Sequence, residues 1–152
     1  MKEQGEEMSN VFVGPENIRN DDIYRNIVHG YFRNTNNLVS RDEIYTNVLR
    51  KHDDSALLSQ LGFSQKNIDK YDEDYYVNND LLIIAFFTNT AYKYKVTNIF
   101  AEDNLLSVLV NEYTPHISTL VEESRIILID IDKGVLHDGM GVEVEFNRVI
   151  DR

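Results

Sequence analysis

The chain has 152 residues, with 15 basic against 26 acidic side chains and a net charge of −11. Phosphate binding needs a basic footprint, so this balance argues against nucleic acid and against an anionic membrane surface as partners. There is no cysteine, which removes disulfides, thiolate catalysis and thiolate metal sites.

Hydrophobic residues make up 42% and aromatics 11% of the chain, the composition of an ordinary folded protein, and the nine tyrosines and seven phenylalanines lean it towards sheet. The expectation is a disordered tail over residues 1–10, where Glu3, Glu6 and Glu7 cluster, and one globular domain over 11–152. The first residues contain no apolar signal core, and no run reaches the length of a membrane span. An export signal preceding this sequence would place the chain outside the cell or on its surface; otherwise it is expected in the cytoplasm.

Val11-Phe12-Val13 is a short apolar run stopped by Gly14-Pro15, an edge strand or an anchor. Residues 21–33 carry Ile23, Tyr24, Ile27, Val28, Tyr31 and Phe32, a spacing that fits a helix and, in its second half, also fits a strand broken by Gly30. Asn34–Asn37 reads as a loop. Ser40-Arg41-Asp42-Glu43 is a capping-box pattern, and Ile44, Val48 and Leu49 share one helical face, so a helix is predicted to run from Ser40 to about Lys51. Ala56–Leu61 predicts a further short turn closed by Gly62, and Ser64 opens another short helix through Ile68.

Asp69–Asp80 is acidic and carries Tyr71, Tyr75 and Tyr76; one or two of these rings can cap the core, and the rest can form a sticky surface. Leu81–Phe87 is an unbroken apolar run, the pattern of a strand buried on both faces. After Thr88–Ala91 the pattern alternates, with Tyr92, Tyr94 and Val96 against Lys93, Lys95 and Thr97. That predicts a half-exposed strand returning beside the buried one as a hairpin.

Glu102-Asp103-Asn104 marks a second turn, followed by a strand with Leu106, Val108 and Val110 on one parity. Arg125–Ile131 is a second buried strand, Asp132–Gly141 a loop with three glycines, and Val142, Val144 and Phe146 alternate with polar residues in a last strand. The fold class expected is α+β, mainly β: an antiparallel sheet of about five to seven strands, as a sandwich or partly closed barrel, with one or two short helices in the N-terminal half.

Catalytic and metal motifs do not stand out. A calcium loop starting at Asp130 and using Asp132, Asp138 and Glu143 would need glycine where Val135 stands and a bidentate acid where Gly141 stands. His29, His52, His116 and His137 form no close ligand pair, and Ser118-Thr119 is a neighbour of His116 in sequence only. Gly139-Met140-Gly141 precedes a strand, not the helix a phosphate loop requires. No cofactor and no metal are expected.

The order of features from Ser40 to Lys133 resembles the C-terminal domain of PrcB, the small stabilising subunit of a bacterial surface protease complex, and short related proteins of Gram-positive bacteria. The resemblance runs through Ser40–Leu49, the acidic-aromatic Tyr71–Tyr76, Leu81–Phe87, Thr88–Ala91, Tyr92–Ile99, Leu105–Pro115, Thr119 and Ile126–Lys133. It implies a β-rich, non-catalytic domain that binds or stabilises another protein, a protease or a surface complex. The residues expected to meet that partner are Asn89, Thr90, Ala91, Tyr92, Tyr75 and Tyr76. The family's loop glycines are replaced here by Asn89-Thr90-Ala91, which removes the positive-φ freedom glycine would give that loop. The alternatives are an enzyme whose site is assembled from distant residues, with His116 and an acid at its core, and a structural accessory domain.

Overall fold

A computed structural model describes residues 24–33, 43–89, 91–117 and 122–151. The expected tail, the Val11–Val13 run, Asn34–Asn37, the first residues of the Ser40 pattern, Thr90 and Ser118-Thr119 lie outside those residues.

Among the described residues seven strands form two sheets. β1 (Tyr24–Arg33), β2 (Tyr45–Leu49), β3 (Asn79–Asn89) and β6 (Glu122–Asp132) make one sheet in the order β1-β6-β3-β2. β4 (Lys93–Glu102), β5 (Leu105–Pro115) and β7 (Gly141–Asp151) make the other, in the order β4-β5-β7. A 3-10 turn (His52–Ser55) and three short helices, α1 (Ala56–Gln60), α2 (Gln65–Ile68) and α3 (Glu73–Asn78), lie between β2 and β3.

The two apolar runs explain the layering. Leu82, Ile84 and Phe86 of β3 and Ile127, Ile129 and Ile131 of β6 face the second sheet, where Tyr94, Val96, Ile99, Leu106, Val108 and Val110 meet them. Leu81, Ile83 and Ala85 of β3 and Ile126 and Leu128 of β6 face the opposite way, onto Leu58, Leu61, Phe63, Tyr71 and Tyr76 of the helical layer. The fold is thus a β-sandwich with helices over one outer face, and the sheet in the middle is buried on both sides. Such a sheet demands continuous apolar strands, while the outer sheet keeps the alternation of a one-sided surface.

The hairpin expected over Leu81–Ile99 is not formed. β3 pairs with β2 on one edge and β6 on the other, so no edge remains for β4. The chain instead turns a corner between sheets and β4 pairs with β5. The Phe86 ring meets Tyr94 edge-on at 5.0 Å across the sandwich. A bulge between Val96 and Asn98 resets the alternation, so that Ile99 follows Val96 into the core.

The predicted helix from Ser40 is corrected to a strand where it is described. Tyr45, Thr46 and Val48 are good strand formers, and β2 supplies the partner that the outer edge of β3 needs. Its faces alternate: Tyr45 and Leu49 meet the helical layer, and Val48 meets the sandwich core. The helices sit later than that. Ser64 accepts from the Asn67 N–H at the start of α2, and Asp72 accepts from the Tyr75 N–H at the start of α3. Gly62, at φ 95°, closes α1.

The sheets are also not wholly antiparallel. β5 and β7 run parallel, because the intervening β6 lies in the other sheet and the Lys133–Met140 loop carries the chain back across. Gly134 (φ 96°) and Gly139 (φ 84°) take the left-handed turns this crossing requires. The β4–β5 hairpin turns tightly at Asp103-Asn104, with Asp103 at φ 51°.

Candidate functional site

The expected contact loop is the corner between the sheets. Thr88 and Asn89 end β3, and the Asn89 side chain accepts the Ala91 N–H at 2.9 Å while its carbonyl accepts the Tyr92 N–H at 3.1 Å. The asparagine side chain closes this local turn without a glycine. Beneath it, Arg125 is fully buried (0% exposed) and its Nη2 donates to the Tyr92 carbonyl at 3.1 Å. Its guanidinium also lies 5.1 Å from the centre of the Tyr94 ring. Burial pulls Arg125 down to about 10, which leaves it charged at neutral pH. The Tyr94 hydroxyl donates to Glu112 Oε2 at 2.7 Å and hydrogen-bonds Thr88.

Tyr75 and Tyr76 are on α3, at the opposite end of the central sheet from that corner. They divide the work. The Tyr76 ring is in the helical core at 5% exposed, with its hydroxyl 2.9 Å from Ser55 Oγ, and Ser55 Oγ in turn donates to the Tyr71 carbonyl at 3.2 Å. Tyr71 is buried as well, and Tyr75 stacks edge-on to both rings, at 4.8 and 4.9 Å. Tyr75 is half-buried and donates to Asp130 Oδ1 at 2.5 Å. Burial, then the bond to Asp130, push its phenol above the usual tyrosine range. Burial likewise raises the Asp130 carboxyl, with the Tyr75 bond opposing it.

Around this pair lies an open groove of about 600 Å³, lined by Tyr75, Asn78, Asn79, Asp130, Asp132 and Lys133. On the far side of α3 a smaller groove, about 290 Å³, is lined by Arg50, Lys51, His52, Asp53, Glu73, Tyr76 and Val77. α3 is therefore a ridge between two hollows, with Glu73 and Asp74 exposed and Val77 66% exposed along it. The smaller groove is lined by a histidine and two carboxylates, the histidine being His52 and not the His116 singled out in the sequence.

One charged network fixes the ends of the strands here. Asp80 is 1% exposed and receives Lys133 Nζ at 2.7 Å and Arg50 Nη1 at 3.5 Å. Lys133 also donates to the Arg50 carbonyl at 2.6 Å, and Arg50 to the Leu136 carbonyl at 2.6 Å. These bonds tie β2, β3, the end of β6 and the following loop into one corner. Among the described residues no three His, Cys, Asp or Glu side chains converge to hold a metal, and no helix is long and apolar enough to cross a membrane.

The surface that sequence reasoning missed is the outer sheet's far edge. β7 was legible as a strand, but only the topology places it at an edge. Comparison with known proteins brings no match: no family model, no curated protein and no solved structure aligns with the chain.

Proposed function

We propose that this chain is a non-catalytic protein-interaction domain that binds or stabilises another protein. The observation that carries the reading is the Asn89–Tyr92 corner. It is held from above by its own asparagine turn and from below by a fully buried arginine. Groups fixed before binding, as Asn89, Ala91 and Tyr92 are by these bonds, lose little entropy when a partner docks, and display from a rigid sandwich is how contact loops work. The resemblance of Ser40–Lys133 to a protease-stabilising domain supports the same reading and makes a protease or surface complex the expected partner. The test is capture of a cross-linked partner by the chain and by the Asn89→Ala/Tyr92→Ala variant. The variant should lose the partner while still melting in one cooperative transition; capture undiminished by the substitutions would remove the loop from the interface.

A second reading, an enzyme with a site assembled from distant residues, is favoured by the groove that joins His52, Asp53 and Glu73. It requires a turnover that His52→Ala abolishes and Asn89→Ala leaves unchanged.

A further inference from the structure

We propose that the edge of β7, open among the described residues, is a docking strand for an extended segment of a partner protein in which apolar and basic residues alternate. The proposal rests on the interaction reading above and commits it to one surface and one chemistry.

Among the described residues the two sheets end at β1, β2, β4 and β7. An open edge invites a further strand, and folded proteins blunt their edges by brevity, by bulges or by lysine. Three of these edges carry such a device. β2 has five residues. β1 breaks register twice against β6, between Tyr24 and Asn26 and between Ile27 and His29. β4 has its bulge between Val96 and Asn98, and it carries Lys93 and Lys95. β7 is neither short nor bulged, and its charges, Glu143, Glu145 and Arg148, are of a kind that a strand of opposite charge can pair with. Its eleven residues run in unbroken register with β5 and include neither lysine nor proline.

The side chains of β7 say what would fit. Val142, Val144 and Phe146 pack against the sandwich core yet stay only partly covered, and on the same parity Ile150 is 59% exposed while Arg148 between them is held by Glu112 at 3.2 Å. A strand added beside them continues the core only if its inward residues are apolar. Glu143 and Glu145 point to the outer face and are exposed. Directly paired side chains on one face of a sheet lie about 5 Å apart, so the outward residues of an added strand sit against this acidic row. Lysine or arginine is favoured there, and acidic residues are repelled. A second copy of this chain is a poor occupant, because two molecules of charge −11 would meet. Main-chain bonding supplies affinity and the alternating side chains supply selection, the mode by which sheet edges capture peptides.

The test uses the full chain, labelled for NMR, and three capped peptides: alternating valine and lysine, alternating valine and glutamate, and the first composition with its lysines grouped at one end. The lysine-alternating peptide should shift the amides of residues 141–150 and bind at least tenfold more tightly than the other two. Glu143→Lys/Glu145→Lys should reverse the preference between lysine and glutamate. Glu143→Gln/Glu145→Gln, which leaves the fold's surface neutral at that row, should keep the melting temperature and discriminate less than threefold. Equal binding of the grouped-lysine peptide would reduce the effect to general charge attraction and overturn the proposal. Shifts centred on Asn89–Tyr92 or Tyr75 would also overturn it while leaving the interaction reading standing, since that reading is tested separately by the loop variant. Binding of none of the peptides would remove β7 as a docking strand.

Discussion

The Nζ of Lys133 lies 2.7 Å from Oδ1 of Asp80, and the two ends of that pair live in different surroundings: the aspartate is 1% exposed, the lysine 39%. Removing the lysine leaves the buried carboxylate with only the longer Arg50 contact, 3.5 Å, whereas removing the aspartate's charge leaves cations that can turn to water. Lys133→Ala should therefore cost about 2 kcal/mol, while Asp80→Asn, which keeps an acceptor for Lys133, should cost about 1 kcal/mol. Urea midpoints of the two variants check the asymmetry; equal costs would mean that Asp80 is better hydrated than its burial indicates.

The facing of the sheets is open to a direct energetic test. Phe86 of β3 and Phe146 of β7 meet edge-on at 4.9 Å across the sandwich. A double-mutant cycle with Phe86→Leu and Phe146→Leu should return a coupling of about 1 kcal/mol. Residues of a β3–β4 hairpin with β7 elsewhere would show none.

Much of this architecture was legible before any coordinates. The runs Leu81–Phe87 and Arg125–Ile131 announced two buried strands, and the parity of Leu106, Val108 and Val110 announced a one-sided strand. Gly62 and Ser64 marked helix ends that the structure keeps. What failed was pairing. A strand's own residues say that it is buried, but not which strand lies on its edge, so β3 and β4 read as a hairpin although β2 and β6 occupy both edges of β3. The capping pattern at Ser40 failed for a related reason: local propensity is worth tenths of a kcal/mol per residue, and the pairing of β2 along β3 outweighs it. For the candidate site, the Tyr71–Tyr76 cluster was visible as a mixture of core and surface. The Tyr75–Asp130 contact spans 55 positions and leaves no local signal.

High pH should expose three of the nine tyrosines as a class. Burial is the first cause that raises the phenols of Tyr75, Tyr76 and Tyr94, with Tyr76 at about 12 and the other two higher still. Unfolded tyrosine ionises near pH 10, so between that value and the folded ones the native state holds more protons. Stability is therefore fully present below about pH 10 and is lost as pH rises beyond it. Ultraviolet titration should show these phenols ionising together with loss of near-ultraviolet circular dichroism. Smooth ionisation of all tyrosines near pH 10 with the fold intact would contradict their burial.

The Asp130 carboxyl works in the acid range with the opposite consequence to a salt-bridged aspartate. Its folded pKa is raised, so the native state binds the proton more tightly than the unfolded chain, and this residue's contribution falls as pH rises from the unfolded value, near 4, through the folded one. Asp130→Asn keeps an acceptor for Tyr75 and removes the titration. The variant should gain stability relative to the parent as pH rises from about 4 to 7, read from melting temperatures; an unchanged difference across that range would show that Asp130 ionises freely.

The account turns on β7 being an open edge, and amide hydrogen exchange along Gly141–Ile150 tests that most directly. Alternate N–H groups of a strand point to opposite sides, so in the free chain the β7 amides facing β5 should be protected and those between them should exchange quickly, while β5, paired on both sides, is protected throughout. Uniform protection along β7 in the free chain would mean that its edge is already occupied, and would contradict the account.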